Sequence, residues 1–345
     1  MTVEGTYMRP SARFSKPALR EALQIAAPIT LDRAYDDPER LLRIVRKIAP
    51  YRLTIHSDLD EEIRRAVGPN FRFGWSAKEA LPGSDAHFLL QNSTFIEAGR
   101  KLFGASIVRP HVVMLNLTLP FATQPWPHVD LPTFLGMARN AIPDWLRAAM
   151  GNSRLFERWA LPVPAALAWY YRGIGGEFEY WPNGTTFPPE VMRPPLWNRA
   201  VVSDNDYMYH RVAAQGRPED HFRGVLSSKA MLHYGADSDR WFILDNGREV
   251  AAVKSQALRI SVLWKGLAFR DEADAQRHDS GVDDLDNDAV TEIFAQDLSA
   301  RGISFAPPSD PASDLAWREV IKRHYPPRIQ LDGWKESQIA PPRSG

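Results

Sequence analysis

Three short motifs of this chain contain histidine, aspartate, arginine and serine side chains that can act as ligands or hydrogen-bond donors. They are His128-Val129-Asp130, the single His210, and Arg259-Ile260-Ser261. In an extended segment His128 and Asp130 project to the same face, because strand side chains alternate. His210, on a predicted neighbouring strand, supplies a third ligand. Two imidazoles and one carboxylate can hold a mononuclear non-haem Fe(II) ion and leave positions open for O2 and a co-substrate.

The third motif predicts a carboxylate-binding position. A planar guanidinium binds a carboxylate through two parallel hydrogen bonds, which a lysine cannot match. The Ser261 hydroxyl, two residues after Arg259, lies on the same face of the predicted strand and can assist.

Strands must position these motifs. The sequence predicts them at residues 112–119, 165–171, 177–181, 199–203, 207–212 and 257–264, with a hairpin at Asn246-Gly247 between 241–244 and 249–253. Helices are predicted at residues 37–48, 60–67, 132–156 with an interruption near Pro143, 288–300 and 314–324. The predicted class is α+β, with a double-stranded β-helix (jelly-roll) core and flanking N- and C-terminal helices.

This pattern divides the chain into three regions. Residues 1–105 form a mixed helical region that packs on the core, and residues 106–270 form the jelly-roll core with an inserted hairpin around 215–253. Residues 271–345 form C-terminal helices and a tail.

Composition limits the partners. The 42 Lys and Arg residues balance the 42 Asp and Glu residues, so no net field recruits nucleic acid or an anionic membrane. No apolar run approaches the roughly 20 residues needed to span a bilayer, and no signal peptide is evident. The absence of cysteine excludes thiolate ligands. We expect a cytoplasmic protein that acts on a small molecule. Its oligomeric state cannot be read from the sequence.

The order of the motifs resembles a known family. A His-X-Asp pair, a glycine-containing aromatic hairpin, a strand histidine and a strand Arg-X-Ser together resemble the Fe(II)/2-oxoglutarate-dependent dioxygenase superfamily over residues 106–265. The resemblance implies Fe(II) held by His128, Asp130 and His210, with 2-oxoglutarate bound by Arg259 and Ser261. It also implies hydroxylation, desaturation or cyclisation of a small molecule by O2, with release of succinate and CO2. Related halogenases have a small residue at the Asp130 position, so the carboxylate favours oxygen transfer.

One spacing departs from the family. Arg259 lies forty-nine residues after His210, much further than the family usually places this arginine. We interpret the gap as an insertion that contains the Asn246-Gly247 hairpin. Arg217 and Arg223 stand at the usual distance and remain alternative anchors.

Further candidates lie close to the ligand motifs in sequence. Asn116 and Tyr171 are candidates to hydrogen-bond the co-substrate. The candidates for a substrate pocket are Trp126, Trp169, Tyr170, Trp181 and Arg211. Core packing is the competing interpretation for the aromatic residues.

Two other functions stay open at this stage. A cupin-type metal-dependent lyase, isomerase or hydrolase would use similar ligands but has no need for Arg259 to bind a dicarboxylate. A non-catalytic jelly-roll binding protein would hold no metal.

Overall fold

The computed structural model describes residues 25–54, 68–76, 87–122, 127–137, 142–306, 308 and 310–326. The helix predicted at residues 60–67 and the candidate Trp126 lie outside the described residues. The described residues form two compact units, one drawn from Ile25–Asp130 and Val163–Asp271 and the other from Leu131–Pro162 and Glu272–Pro327. The three regions inferred from the sequence divide the chain differently and stay a prediction.

The first unit is built on antiparallel strands. In the described part of the chain the strands are β1 (Ile29–Leu31), β2 (Tyr51–Leu53), β3 (Asn70–Ser76), β4 (Ile107–Thr118), β5 (Ala165–Tyr171), β6 (Phe178–Trp181), β7 (Glu190–Met192), β8 (Leu196–Ser203), β9 (Tyr209–Val212), β10 (Met231–Gly235), β11 (Arg240–Asp245), β12 (Arg248–Lys254) and β13 (Arg259–Phe269). Ten of them form one sheet in the order β1-β8-β5-β13-β4-β3-β2-β10-β11-β12, and three form a second sheet, β7-β6-β9.

A buried aromatic cluster joins the two sheets. The rings of Trp169 on β5 and Phe178 on β6 are 5.3 Å apart, and Met192 on β7 and Val201 on β8 belong to the same cluster. The inner face of the large sheet therefore packs on the small sheet, and the chemistry-bearing residues of β13 lie on that inner face.

Helices cover the opposite face of the large sheet. They are α1 (Pro38–Ile48), α2 (His87–Leu90) and α3 (Ser93–Phe103). Asp37 caps α1 by accepting a hydrogen bond from the Arg40 amide, and proline at the first position suits the helix start. Trp264 on β13 donates from Nε1 to the Leu90 carbonyl at 2.7 Å, so α2 covers the outer side of β13 at this residue.

The second unit is helical. Its helices are α4 (Asp144–Ser153), α5 (Glu272–Ser280), α6 (Asn287–Ala300) and α7 (Leu315–His324). The ring of Phe294 packs on those of Phe156 and Tyr325, at 5.0 and 4.7 Å. Even α6, the longest helix in the described part of the chain, has only 14 residues, and none of these helices combines the length and apolarity needed to cross a membrane.

The predicted helix at residues 132–156 is wrong at residues 132–137, which the structure describes and which are not helical. Helix α4 begins only after Pro143, whose backbone is extended at φ −61° and ψ 148°. Upstream, Phe134 instead forms a β-bridge with Ala160. The reason is that prolines at 132 and 143 remove amide donors and force the preceding residue out of helical geometry.

The chain between β9 and β13 contains the β10–β12 strands, which extend the edge of the large sheet beyond β2. Asn246 and Gly247 both have positive φ, 49° and 78°, as a type I′ hairpin turn requires. The predicted hairpin is therefore confirmed. Because these strands join the edge, β13 keeps its place between β4 and β5.

Candidate metal and carboxylate site

Backbone pairing brings the two candidate histidines together. The His128 amide donates to the His210 carbonyl at 3.0 Å, and the His210 amide donates back to His128 at 2.9 Å. The next contact along the segment is the Asp130 amide, which donates to the Asn205 carbonyl at 2.8 Å. The His-X-Asp segment thus runs antiparallel beside β9, and its side chains alternate in register with those of that strand.

The side chains of this pair and of Asp130 converge. His128, Asp130 and His210 each offer a ligand atom, and these atoms all lie within 4.8 Å of one another. The two imidazole rings are 4.4 Å apart between centroids, and His210 Nε2 is 3.7 Å from Asp130 Oδ1. Two nitrogens and one carboxylate oxygen at this spacing fit a divalent cation that is bound on one face.

A backbone contact indicates the tautomer of His210 in its neutral form. Its Nδ1 lies 3.0 Å from the Met208 carbonyl oxygen, which can only accept a hydrogen bond. In the neutral imidazole the proton is therefore on Nδ1, and Nε2 carries the lone pair on the side of Asp130. This is the usual way in which an outer partner orients a metal-ligating histidine.

A lysine that the sequence analysis missed lies against Asp130. Lys265 Nζ on β13 is 2.7 Å from Asp130 Oδ2 and 3.4 Å from Asp206 Oδ1. Burial acts to raise the pKa of Asp130, but Lys265 first, then His210 and His128, lower it, and the net pKa is well below the usual range. Asp130 is thus held as a carboxylate.

The same contacts keep the lysine charged. Burial acts to lower the pKa of Lys265, while Asp130 and Asp206 raise it, with a net upward shift. Lys265 thus lies between two carboxylates. Arg72 is a second cation near Asp130: burial lowers the pKa of Arg72, and the charge of Asp130 acts to raise it.

Arg259 is a buried cation with spare hydrogen-bonding capacity. The residue is 3% exposed, and its Nε donates to the Gly176 carbonyl at 3.2 Å. Its Nη2 has no hydrogen-bond partner among the described residues. Burial lowers the pKa of Arg259 to about 10, so it stays protonated at neutral pH. The charge of Glu177 acts to raise this pKa, so the guanidinium is partly compensated, and its unused Nη2 donor could pair with a bound anion.

A glycine turn shapes the surroundings of Arg259. Gly176 follows β5 with φ +74°, and a Cβ added there would lie 3.2 Å from Tyr171 Cε1 and 3.3 Å from Arg259 Cδ. The Tyr171 hydroxyl donates to the Ile174 carbonyl at 2.8 Å, and burial raises its pKa to about 12. Tyr171 therefore lies near Arg259, and its own proton is engaged by the turn.

Ser261 heads a row of side chains on the inner face of the large sheet. It pairs in register with Asn116 on β4 and with Trp169 on β5, so the three share one face. Asn116 Oδ1 accepts a hydrogen bond from Arg72 Nε at 2.7 Å. The Nε1 of Trp169 is buried without a hydrogen-bond partner among the described residues.

Three of the predicted pocket residues face elsewhere. Tyr170 pairs with Ile260, so it lies on the outer face, where its hydroxyl donates to Asn198 at 2.9 Å. Arg211 and Trp181 lie on the face of the small sheet opposite to His210, because they occupy alternate positions of β9 and β6. Arg211 forms an ion pair with Glu179 there. These residues were predicted to line the pocket because they are close to the candidate ligands in sequence. Since side chains alternate along a strand, they point to the opposite face of their sheet.

The alternative anchors are both exposed. Arg217 lies 3.9 Å from Glu219, and Arg223 donates to the Pro218 carbonyl at 3.2 Å. Neither has the burial that makes a cation depend on a bound anion. Arg259 is therefore the better candidate for the carboxylate position.

Comparison with known proteins gives distant similarities. No protein-family model matches the chain, and no curated protein is significantly similar to it. An oxidoreductase of the 2OG-Fe(II) oxygenase family from Burkholderia pseudomallei is 13% identical, with a TM-score of 0.38, over 70% of this chain and 86% of its own. A prolyl-4-hydroxylase from Pseudomonas putida is 12% identical, with a TM-score of 0.34, over 71% of this chain and 93% of its own. At this distance the function must be inferred from the site itself.

Proposed function

We propose that this chain is an Fe(II)- and 2-oxoglutarate-dependent oxygenase that hydroxylates a small-molecule substrate, with desaturation and cyclisation as related outcomes. The observation that carries the proposal is a pair of features in one unit. His128, Asp130 and His210 converge within 4.8 Å, and Arg259 is a buried guanidinium with an unused donor. The first feature suits a divalent metal, and the second suits the distal carboxylate of a dicarboxylic acid.

The fold is consistent with this proposal. Two antiparallel sheets pack through Trp169 and Phe178, and the His-X-Asp segment adds to the small sheet beside β9. We propose that these sheets form the double-stranded β-helix predicted from the sequence. Seen in this way, β10–β12 are an insertion before the last core strand, which accounts for the long gap between His210 and Arg259.

Each residue of the site has a defined task in this proposal. Fe(II), when bound, supplies the activation of O2 that is coupled to oxidative decarboxylation of 2-oxoglutarate. Nε2 of His210 and one oxygen of Asp130 act as ligands with His128, and Lys265 holds the other Asp130 oxygen. Arg259 binds the distal carboxylate of the co-substrate, with the Ser261 hydroxyl on the same strand face. Trp169 and Phe178 pack beside this face and limit access of water.

Arg259 also separates this proposal from the alternatives. A metal-dependent lyase, isomerase or hydrolase can use two histidines and an aspartate, but it does not require a buried arginine with an unpaired donor. A binding protein without metal does not require the convergence of His128, Asp130 and His210. The oxygenase accounts for both features.

The test is an anaerobic titration of the metal-free protein with Fe(II) and then 2-oxoglutarate. Bidentate chelation of the keto acid produces a weak visible charge-transfer band, which we expect in the wild-type protein. Asp130→Ala should remove Fe(II) binding, and Asp237→Ala, a change at an exposed carboxylate in the same unit, should not. Arg259→Ala should weaken 2-oxoglutarate binding, whereas the exposed Arg217→Ala should leave it unchanged.

The outcomes separate the three functions. Metal binding without the band would favour the lyase, isomerase or hydrolase. No stoichiometric metal binding would favour the binding protein. If the band forms equally well in Arg259→Ala, this residue is not the anchor and the carboxylate position must be sought elsewhere.

A further inference from the structure

A cavity lies on the outer side of the large sheet. It has a volume of about 930 Å³, and none of His128, Asp130, His210 or Arg259 lines it. Its floor is apolar and buried, and includes Leu42 of α1, Tyr170, Trp241 and Ile260. Tyr170 and Ile260 share the face opposite to Ser261, so the cavity lies mainly on the other side of the sheet from His128, Asp130 and His210. At the end of β5 it reaches Tyr171, which lies near Arg259.

The rim of the cavity is cationic. Among its described lining residues, five are basic and only Asp220 is acidic. The basic residues are Arg46, Arg172, Arg217, Arg240 and Lys254. In a chain whose total charge is zero, this is a local excess of positive charge at the mouth of an apolar pocket.

The residues next to these cations do not neutralise the positive charge of the rim. Arg172 lies over the ring of Trp197, with its guanidinium carbon 3.7 Å from the ring centroid, and an arginine stacked in this way keeps its in-plane donors available. The ion pairs of Arg46 with Asp239, at 3.7 Å, and of Arg217 with Glu219, at 3.9 Å, are solvent-exposed or nearly so. Exposed pairs of this kind are weak, so they do not cancel the field of the rim.

The insertion builds one wall of this cavity. Arg240 and Trp241 begin β11, and residues 252–257 form the end of β12 and the turn that follows it. The facing wall is Arg172 with Gly173 and Ile174, directly after β5. The strands that separate His210 from Arg259 in sequence thus form a pocket with the body of the sheet.

We propose that this cavity binds an anionic amphiphile, a small molecule with a flat or aliphatic apolar body and a carboxylate, sulfonate or phosphate head. The apolar floor accommodates the body, and the rim cations pair with the head. A purely hydrophilic anion would leave the floor unused, and an uncharged apolar molecule would gain nothing from the rim. The proposal does not rest on the proposed oxygenase activity.

The test uses the full chain and the anionic fluorophore anilinonaphthalene sulfonate, with its uncharged relative N-phenylnaphthylamine as the comparison probe. We expect one saturable site with energy transfer from tryptophan, and much weaker binding of the uncharged probe. Reversing two rim charges in Arg172→Glu/Lys254→Glu should weaken binding of the anion by at least about tenfold. Arg248→Glu, an exposed change in the same hairpin outside the lining, is the matched control.

A filling substitution tests the location without a change of charge. Ala252→Trp should abolish binding of the anion, and thermal unfolding would verify that the variants fold. The charge-transfer band with Fe(II) and 2-oxoglutarate should be unchanged in the Arg172→Glu/Lys254→Glu variant, which separates this site from the oxygenase site. Equal affinity for the anion in wild type, the double variant and Ala252→Trp would overturn the proposal, and so would equal affinity for the two probes.

Discussion

At the scale of single residues, the candidate site depends on how two charges are compensated. The carboxylate of Asp130 is already paired with Lys265, at 2.7 Å, whereas the guanidinium of Arg259 has an unused donor. In the proposed function, the carboxylate of Asp130 is therefore held in place before a metal binds. The unused donor of Arg259 would be satisfied by the bound anion.

Lys265 should matter for metal affinity. Without it Asp130 loses the partner that fixes its second oxygen, and Asp206 loses its cation as well. We expect Lys265→Met to weaken Fe(II) binding by about 10- to 100-fold, the usual effect of losing such an outer partner. Lys265→Arg should retain most of the affinity. Calorimetric titration with Mn(II) as an air-stable substitute would measure it, and wild-type affinity in Lys265→Met would show that the lysine does not position the ligand.

Arg259 should cost stability in the ligand-free protein. It is a buried charge whose pKa is lowered by burial, so replacing it with an apolar side chain of similar length relieves desolvation. We expect Arg259→Met to raise the free energy of unfolding of the ligand-free protein by roughly 1–3 kcal/mol. The same variant should lose the stabilisation that 2-oxoglutarate gives to the wild type. Denaturant unfolding with and without 2-oxoglutarate gives both quantities, and a large loss of stability without ligand would contradict this account.

At the scale of elements, the turn between β5 and β6 determines the position of Arg259. Gly176 combines a positive φ with close contact to Tyr171 and Arg259. Gly184, at the end of β6, has φ +86° and no heavy atom within 4 Å of an added Cβ. The two glycines share the backbone requirement and differ in the contact.

Alanine substitutions at Gly176 and Gly184 separate the effect of backbone strain from the effect of side-chain contact. Gly176→Ala and Gly184→Ala should each lose about 1–2 kcal/mol of unfolding free energy through the left-handed backbone. Only Gly176→Ala should also weaken 2-oxoglutarate binding, because its Cβ displaces the Arg259 side chain. The affinity for 2-oxoglutarate is measured in both variants. An equal effect in the two would mean that the turn at Gly176 does not position the Arg259 side chain.

The elements that the sequence predicted well are those fixed by local chemistry. The Asn246-Gly247 turn and the run Ala165–Tyr171 appear as predicted, since both are encoded by neighbouring residues. The short strands β1 and β2 were missed because each has three residues and pairs with a distant segment. Strand β3 could have been predicted from the alternation of Phe71, Phe73 and Trp75, which is typical of a strand. It was missed because the region was predicted to be mainly helical.

The candidate site was predictable in its ligands and less so in its surroundings. His128, Asp130 and His210 converge as the sequence suggested, although their role as ligands stays a prediction. Lys265 was missed, yet it lies six residues after Arg259 and so on the same strand face. The pairing of Lys265 with Asp206 depends on tertiary contact and leaves no pattern in the sequence.

At the scale of the whole molecule, the site belongs to one of two units. All of its described residues lie within Ile25–Asp130 and Val163–Asp271. We expect Mn(II) with 2-oxoglutarate to increase protection from hydrogen exchange in β9, β13 and residues 127–130, by about 5.4 kcal/mol when each ligand is at a hundred times its Kd, because each of the two ligands contributes about 2.7 kcal/mol. Helices α5, α6 and α7 belong to the other unit and should gain much less. Uniform protection of both units would mean that ligand binding acts on the chain as a whole.

The β-bridge between His128 and His210 also closes a long loop of the chain. The two histidines are held by a single pair of backbone hydrogen bonds, and about eighty residues of chain lie between them. A metal bound to both would close that loop and remove conformations from the unfolded ensemble, much as a disulfide does. In a protein without cysteine, the ion would thus serve as a removable cross-link, and loss of metal would both stop the chemistry and release the loop.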